Sequence, residues 1–110
     1  MRAKRVDKNQ PEIVKALRAY GCSVQHTHMM GEGFPDLIVG HRRSKRIGFM
    51  EIKDGDKPPS QRKLTEPQEK FFSEWDGFPM AVVTDVDGAL RFARMLAFDG
   101  CPFCAWRENK

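Results

Sequence analysis

Ile13, Leu17 and Tyr20 recur at helical spacing behind the polar stretch NQPE, and Gly21 follows them. Apolar residues three and four apart share one face of a helix. Asn9 or Gln10 can cap that helix, Pro11 suits its first turn because the missing N–H would be unbonded there, and Gly21 ends it. CSVQHTHM alternates loosely and predicts a strand, and MGEGFP is a loop by its glycines and proline. Two short β-rich runs, DLIVG and IGFMEIK, then flank a basic connection, the pattern of a hairpin. DGDKPPSQRKL has no periodicity and reads as a mobile loop. In TEPQEKFFSEW, Thr65 can cap, Pro67 lies in the first turn, and Phe71, Phe72 and Trp75 fall on one face, with Gly77 ending the helix. PMAVVTDV predicts a further strand and DGALRFARMLAF a last helix capped by Asp87, while the tail DGCPFCAWRENK has no clear pattern.

The predicted order is α-β-β-β-α-β-α: an α/β fold with a small mixed central sheet flanked by helices. A chain of 110 residues is enough for one domain over 1–110 and one core. No apolar run approaches the ~18 residues of a membrane span, and MRAKRVDKNQPE lacks the apolar stretch of a secretory signal. Three cysteines argue against a disulfide framework and for a reducing, cytoplasmic setting. The formal charge of +4 and a pI of about 9.2 suit a polyanionic partner. Much of that charge is clustered. His41, Arg42, Arg43, Ser44, Lys45 and Arg46 form one block, and Lys57, Arg62 and Lys63 a looser one. A solvated face is the competing account of such runs.

The hairpin carries the candidate chemistry. Asp36 opens its first strand and Glu51 stands near the end of its second. Residues i and i+2 of a strand share a face, so Glu51 and Lys53 point one way and Ile52 the other, toward the core. Hairpin pairing then makes Asp36 and Glu51 neighbours, with Lys53 beside them. Two adjacent carboxylates are unfavourable unless a positive charge lies between them. Mg²⁺ suits the pair, because it takes hard oxygen ligands and keeps several waters. Such a metal activates water and neutralises phosphodiester charge, and a neighbouring lysine positions the water or stabilises that charge. The bland account is a surface aspartate and an ordinary Glu–Lys pair; E-x-K alone is common, but E-x-K after a strand opening with Pro-Asp is far more specific.

GFPDLIVG, MEIK and LTEPQEKFF, in this order after Glu12, resemble the PD-(D/E)xK nuclease superfamily, and most closely the stand-alone VRR-NUC domains of phage and bacteria. The resemblance runs from about Glu12 to Val86. It implies a restriction-endonuclease-like fold and a Mg²⁺- or Mn²⁺-dependent DNA endonuclease. Carried over by position, Asp36, Glu51 and the backbone carbonyl of Ile52 are metal ligands, and Glu12 reaches the metal directly or through water. Lys53 is the catalytic lysine, and Gln68 supports the lysine or the scissile phosphate. The same resemblance implies a four-way (Holliday) junction as substrate and a two-fold homodimer that cuts it symmetrically. A flap or other branched-DNA nuclease, and a non-cutting nucleic-acid-binding module on the same fold, are the alternatives.

Read from the residues themselves, Glu12 is also a carboxylate favoured by the helix dipole. Gln68 closes a T-x-x-Q capping box, yet with Phe71, Phe72 and Trp75 it heads the inward face of its helix. The block Arg42, Arg43, Lys45 and Arg46 lies at the far end of the hairpin from Asp36, where it can grip a duplex arm. Lys57, Arg62 and Lys63 follow Lys53 and stand nearer the cut, through phosphate contacts that predict steep salt dependence.

Other motifs compete less well. VVTDVDGAL resembles the D-x-D-G of haloacid-dehalogenase-type phosphatases, but only 20 residues follow Leu90, too few for that fold's downstream groups. Cys101-Pro-Phe-Cys104 offers half a zinc site, with His26 and His28 as partners. An apolar packing or dimer segment explains those cysteines better than zinc does. His26, His28 and His41 read as strand or surface residues.

Overall fold

The computed structural model describes residues 7–98. Cys101 and Cys104 lie outside them. The elements are α1 (Gln10–Ala19), β1 (Cys22–His26), a short 3-10 turn (His28–Met30), β2 (Leu37–His41), β3 (Arg46–Ile52), a second 3-10 turn (Pro59–Gln61), α2 (Glu66–Glu74), β4 (Met80–Val83) and α3 (Val86–Ala97). Their order is the one the hydrophobic pattern predicts. The sheet runs β1-β2-β3-β4, antiparallel across the first two pairs and parallel between β3 and β4.

Strand alternation sorts the core. Leu37, Val39, Met50 and Ile52 point to one face, where they pack with Ile13, Val14 and Leu17 of α1 and Ala89, Phe92, Ala93 and Leu96 of α3. The intervening residues Phe49, Glu51 and Lys53 point to the other face, which α2 covers. There Phe71 meets Phe49 at 5.5 Å and Phe34 at 5.1 Å, and Trp75 stacks on Phe71 at 5.4 Å. Edge-to-face and offset pairs of this kind add to area burial. Cys22 is buried in the first core, and burial pushes its thiol pKa up, against the opposing charge of Arg42. Among the described residues no helix is long and apolar enough to cross a membrane.

Several local expectations are corrected. β1 ends at His26 rather than running on to Met29, because Thr27 turns back to bond the loop before β2. Tyr20 is not part of the buried stripe of α1: it follows the last helical residue, is exposed, and lies over His41 with ring centroids 5.8 Å apart. Asn9 stands at the N-cap position of α1 but makes no capping bond with its side chain. Its amide crosses instead to the carbonyls of Lys53, at 3.2 Å, and Thr84, at 2.7 Å. The cap of α3 is Asp85, which accepts from the Gly88 N–H at 2.8 Å, and not Asp87, which pairs with Arg91 one turn on. The loop over 54–63 is braced at its start by Asp54, which accepts from the Asp56 N–H at 3.0 Å.

Candidate functional site

Asp36 is set in place from both sides of its strand. The Thr27 N–H donates to the Asp36 carbonyl at 2.8 Å, and the Thr27 hydroxyl to the Pro35 carbonyl at 2.7 Å. On the other side the Ile52 N–H donates to Asp36 Oδ2 at 2.8 Å. The β2–β3 register pairs Leu37 with Met50, so one residue further Asp36 stands opposite Glu51. Residues opposite each other in an antiparallel pair share a face. Both carboxylates are buried, Asp36 at 2% exposure and Glu51 at 0%.

Gln68 links the acidic and basic members of the group. Its Nε2 donates to Glu51 Oε2 at 2.8 Å, and its Oε1 accepts from Lys53 Nζ at 2.8 Å. The same Oε1 accepts from the Thr65 N–H at 2.8 Å, and Thr65 Oγ1 accepts from the Gln68 N–H. The capping box and the contact with the hairpin are therefore made by one side chain at once. Lys53 Nζ also lies 3.7 Å from Glu51 Oε2. A neutral amide between carboxylate and ammonium orients both without cancelling either charge. Gln68→Leu is expected to lower stability by about 1–3 kcal/mol, because it strips hydrogen bonds from groups that stay buried; urea denaturation of the variant checks this.

Gly33 seats the Pro-Asp loop on α2. Its φ is +81°, and a Cβ there would lie 2.2 Å from the Pro67 carbonyl oxygen. The close approach that Gly33 permits is thus made to the first turn of α2, the turn that carries Gln68.

The other expected site residues are distributed as follows. Glu12 is exposed and does not join Asp36 and Glu51. It lines a separate cavity of about 630 Å³ with Lys8, Asn9, Asp54, Arg62 and Asp85. In that cavity's wall Lys8 pairs with Asp56 at 3.2 Å, and this hydrogen bond raises the lysine pKa. Among the described residues no three of His, Cys, Asp and Glu are grouped as metal ligands. In the basic block, Arg42, Arg43 and Lys45 are exposed. Arg42 also donates to the Cys22 carbonyl at 2.9 Å, and Arg46 donates to the Leu96 and Phe98 carbonyls at the C-terminus of α3. Those two arginines hold the fold as well as adding charge. His41 is buried and bonds Ser44 within the same turn. Lys57 and Lys63 are exposed and Arg62 is half-buried.

Position 10, rather than 12, heads the inward face of α1. Gln10, Ile13, Val14 and Leu17 are its buried residues, a spacing of i, i+3, i+4 and i+7 that the sequence already displays. Gln10 is 1% exposed, and its Nε2 lies 3.1 Å from His26 Nδ1. Asn9 was legible only as a cap, since nothing in the local sequence marks the two distant carbonyls it reaches.

No family model matches this chain, and neither the curated proteins nor the solved structures contain a significant match to it.

Proposed function

We propose that this protein is a divalent-metal-dependent nuclease that hydrolyses phosphodiester bonds in DNA, with Asp36, Glu51, Lys53 and Gln68 as its working residues. The observation that carries the reading is that Gln68 of α2 bonds both Glu51 and Lys53 of the hairpin, while Asp36, opposite Glu51 in the strand register, accepts from the Ile52 N–H between them. Two buried carboxylates with a lysine and an amide on the same strand face are more than a solvated strand face requires.

The donor set fits a hard cation. Two all-oxygen side chains and the Ile52 carbonyl would hold Mg²⁺ or Mn²⁺, with waters and a substrate phosphate completing the shell, as Mg²⁺ prefers over an all-protein cage. When bound, the cation supplies Lewis-acid charge for water activation and for the phosphoryl oxygens. Asp36 and Glu51 bring the negative charge that recruits it. Lys53 holds a proton-rich donor beside Glu51, where it orients an attacking water or meets charge developing on the phosphate. Gln68 keeps that ammonium from swinging into solvent.

The mixed four-stranded sheet with helices on both faces is compatible with a restriction-endonuclease-like fold, and the PD…EIK pattern supports membership of that superfamily. Preference for a four-way junction and a homodimeric state are carried by the sequence resemblance. The exposed Arg43, Lys45, Lys57 and Lys63 support a phosphate-contacting surface.

The test is cleavage of junction, flap and linear duplex DNA in Mg²⁺, Mn²⁺ or EDTA. Wild type is expected to cut in either metal and not in EDTA, while Lys53→Ala binds equally and loses about 100-fold or more in rate. If wild type and Lys53→Ala bind DNA equally and neither cuts in either metal, the protein is a binding module instead. Symmetric paired nicks would favour a resolvase over a flap nuclease, and sedimentation as a monomer alone would remove the dimer.

A further inference from the structure

Beside Asp36, at the same end of the sheet, stands a histidine with an unusual support. His26 is the last residue of β1 and pairs with Leu37, the residue after Asp36, while the next residue, Thr27, bonds the Asp36 carbonyl directly. The imidazole is exposed. It is nonetheless fixed from below by Gln10, an almost wholly buried amide of α1. Among the described residues Gln10 Oε1 has no hydrogen-bond partner, so the contact with His26 is the one such bond this amide makes there. A buried amide that leaves one of its atoms unsatisfied is unfavourable for folding. An apolar side chain would serve packing better at the head of a stripe that continues with Ile13, Val14 and Leu17.

The chemistry of the bond decides what the histidine offers. An amide N–H₂ donating to Nδ1 requires Nδ1 to be the bare acceptor, which puts the ring proton on Nε2. His28 adds a second restraint, with its ring edge-on to that of His26 at 6.1 Å. In that tautomer the ring offers an oriented N–H donor on the α1 face of the sheet, at the same end where Asp36 and Glu51 stand on the α2 face.

We propose that His26 is a substrate-contacting residue, donating from Nε2–H to a DNA backbone phosphate next to the bond that is cut, and that Gln10 is the positioning residue that sets its tautomer. This inference rests on the nuclease reading for its substrate, and on the Gln10–His26 geometry for its mechanism. It assigns the β1 rim, which the PD…EIK pattern does not reach, to one phosphate of the substrate.

Two measurements test it together. Two-bond ¹⁵N–¹H correlation of the imidazoles in the wild type should show His26 protonated at Nε2, and the signal should shift when duplex or junction DNA is added in EDTA. Cleavage in Mg²⁺ should show His26→Ala reduced about 10- to 100-fold in kcat/KM, the range of one hydrogen bond to a charged group. His26→Gln, which keeps an N–H donor of similar reach, should recover part of the loss. Gln10→Met should fall less than His26→Ala while its His26 shows mixed tautomers; if that variant does not fold, the wild-type spectra and the His26 variants still decide the matter. A proton on Nδ1, or a silent His26 signal together with His26→Ala cutting as fast as wild type, overturns the proposal and leaves the nuclease reading standing. A wild type that never cuts but whose His26 signal moves with DNA removes the nuclease reading and leaves the phosphate contact. A protein that does not bind DNA at all removes both.

Discussion

Asp36→Asn is expected to abolish cutting, with a fall of at least about a thousandfold in kcat, equivalent to about 4 kcal/mol of transition-state stabilisation. The substitution is nearly isosteric, so the amide oxygen can still accept the Ile52 N–H that Asp36 Oδ2 now holds at 2.8 Å. What is lost is charge. Asp36 and Glu51 are both almost fully buried on one face of the hairpin, and placing two carboxylates there is unfavourable in the absence of a cation. Removing one of them should therefore leave the melting temperature unchanged or raised, the usual sign of a site kept for activity rather than stability. Binding to DNA in EDTA should be retained. The three readings together are diagnostic: a variant that neither cuts nor folds would mean that Asp36 is structural, and one that still cuts would remove it from the site. Cleavage rates, thermal unfolding and a gel-shift series on the same preparation supply them.

The largest effect on stability is expected at a residue with no side chain. Gly33→Ala should destabilise the protein by about 3 kcal/mol, from the strain of a non-glycine residue at positive φ and from overpacking. The added Cβ would lie 2.2 Å from the Pro67 carbonyl oxygen and 2.8 Å from the Gln68 nitrogen, both backbone atoms of the first turn of α2. Neither can yield without moving the helix. For a domain of this size that is a fall of roughly 12–24 °C in Tm. Gly40→Ala is the matched comparison. It lies on β2, and a Cβ there meets nothing within 4 Å, so it should stay within about 0.5 kcal/mol of wild type. Activity should follow the loop as well, because Gly33 seats the Pro-Asp loop on the helix turn that carries Gln68. Equal melting temperatures for the two variants would show that the loop and α2 are not held together as described.

Much of this was open to reading along the chain. Period-2 and period-3.6 patterns marked every long element in order, because each buries one face and the burial dictates the spacing of apolar residues. The opposition of Asp36 and Glu51 followed from hairpin pairing, and the shared face of Glu51 and Lys53 from strand alternation. Gln68 was legible twice over, as the fourth residue of a capping box and as the head of the inward face of α2. Both readings hold at once, since one amide oxygen serves Thr65 and Lys53 together.

The contacts that local sequence does not show share a cause. The resemblance points to Glu12 as the residue of α1 that reaches the site, whereas the phase of Ile13, Val14 and Leu17 puts position 10 inward and position 12 outward. Helix phase decides direction there. Arg42 and Arg46 were counted only as charge, because the chain does not reveal that carbonyls of Cys22 and of the α3 terminus need donors at that turn. Asn9 looked like a cap for the same reason: its partners are 44 and 75 residues away.

Patterns along the chain thus reveal which segments are helix and strand, which face of each is buried, and that a carboxylate pair and a lysine meet on one hairpin. These follow from periodicity and from local pairing, which act over a few residues. The folded chain alone shows that β4 lies parallel beside β3, that α2 lays Gln68 between Glu51 and Lys53, that Gly33 closely approaches Pro67, and that Gln10 holds His26 at the rim. Those are contacts between segments far apart in the chain, fixed by the packing of whole elements, and no local pattern encodes them.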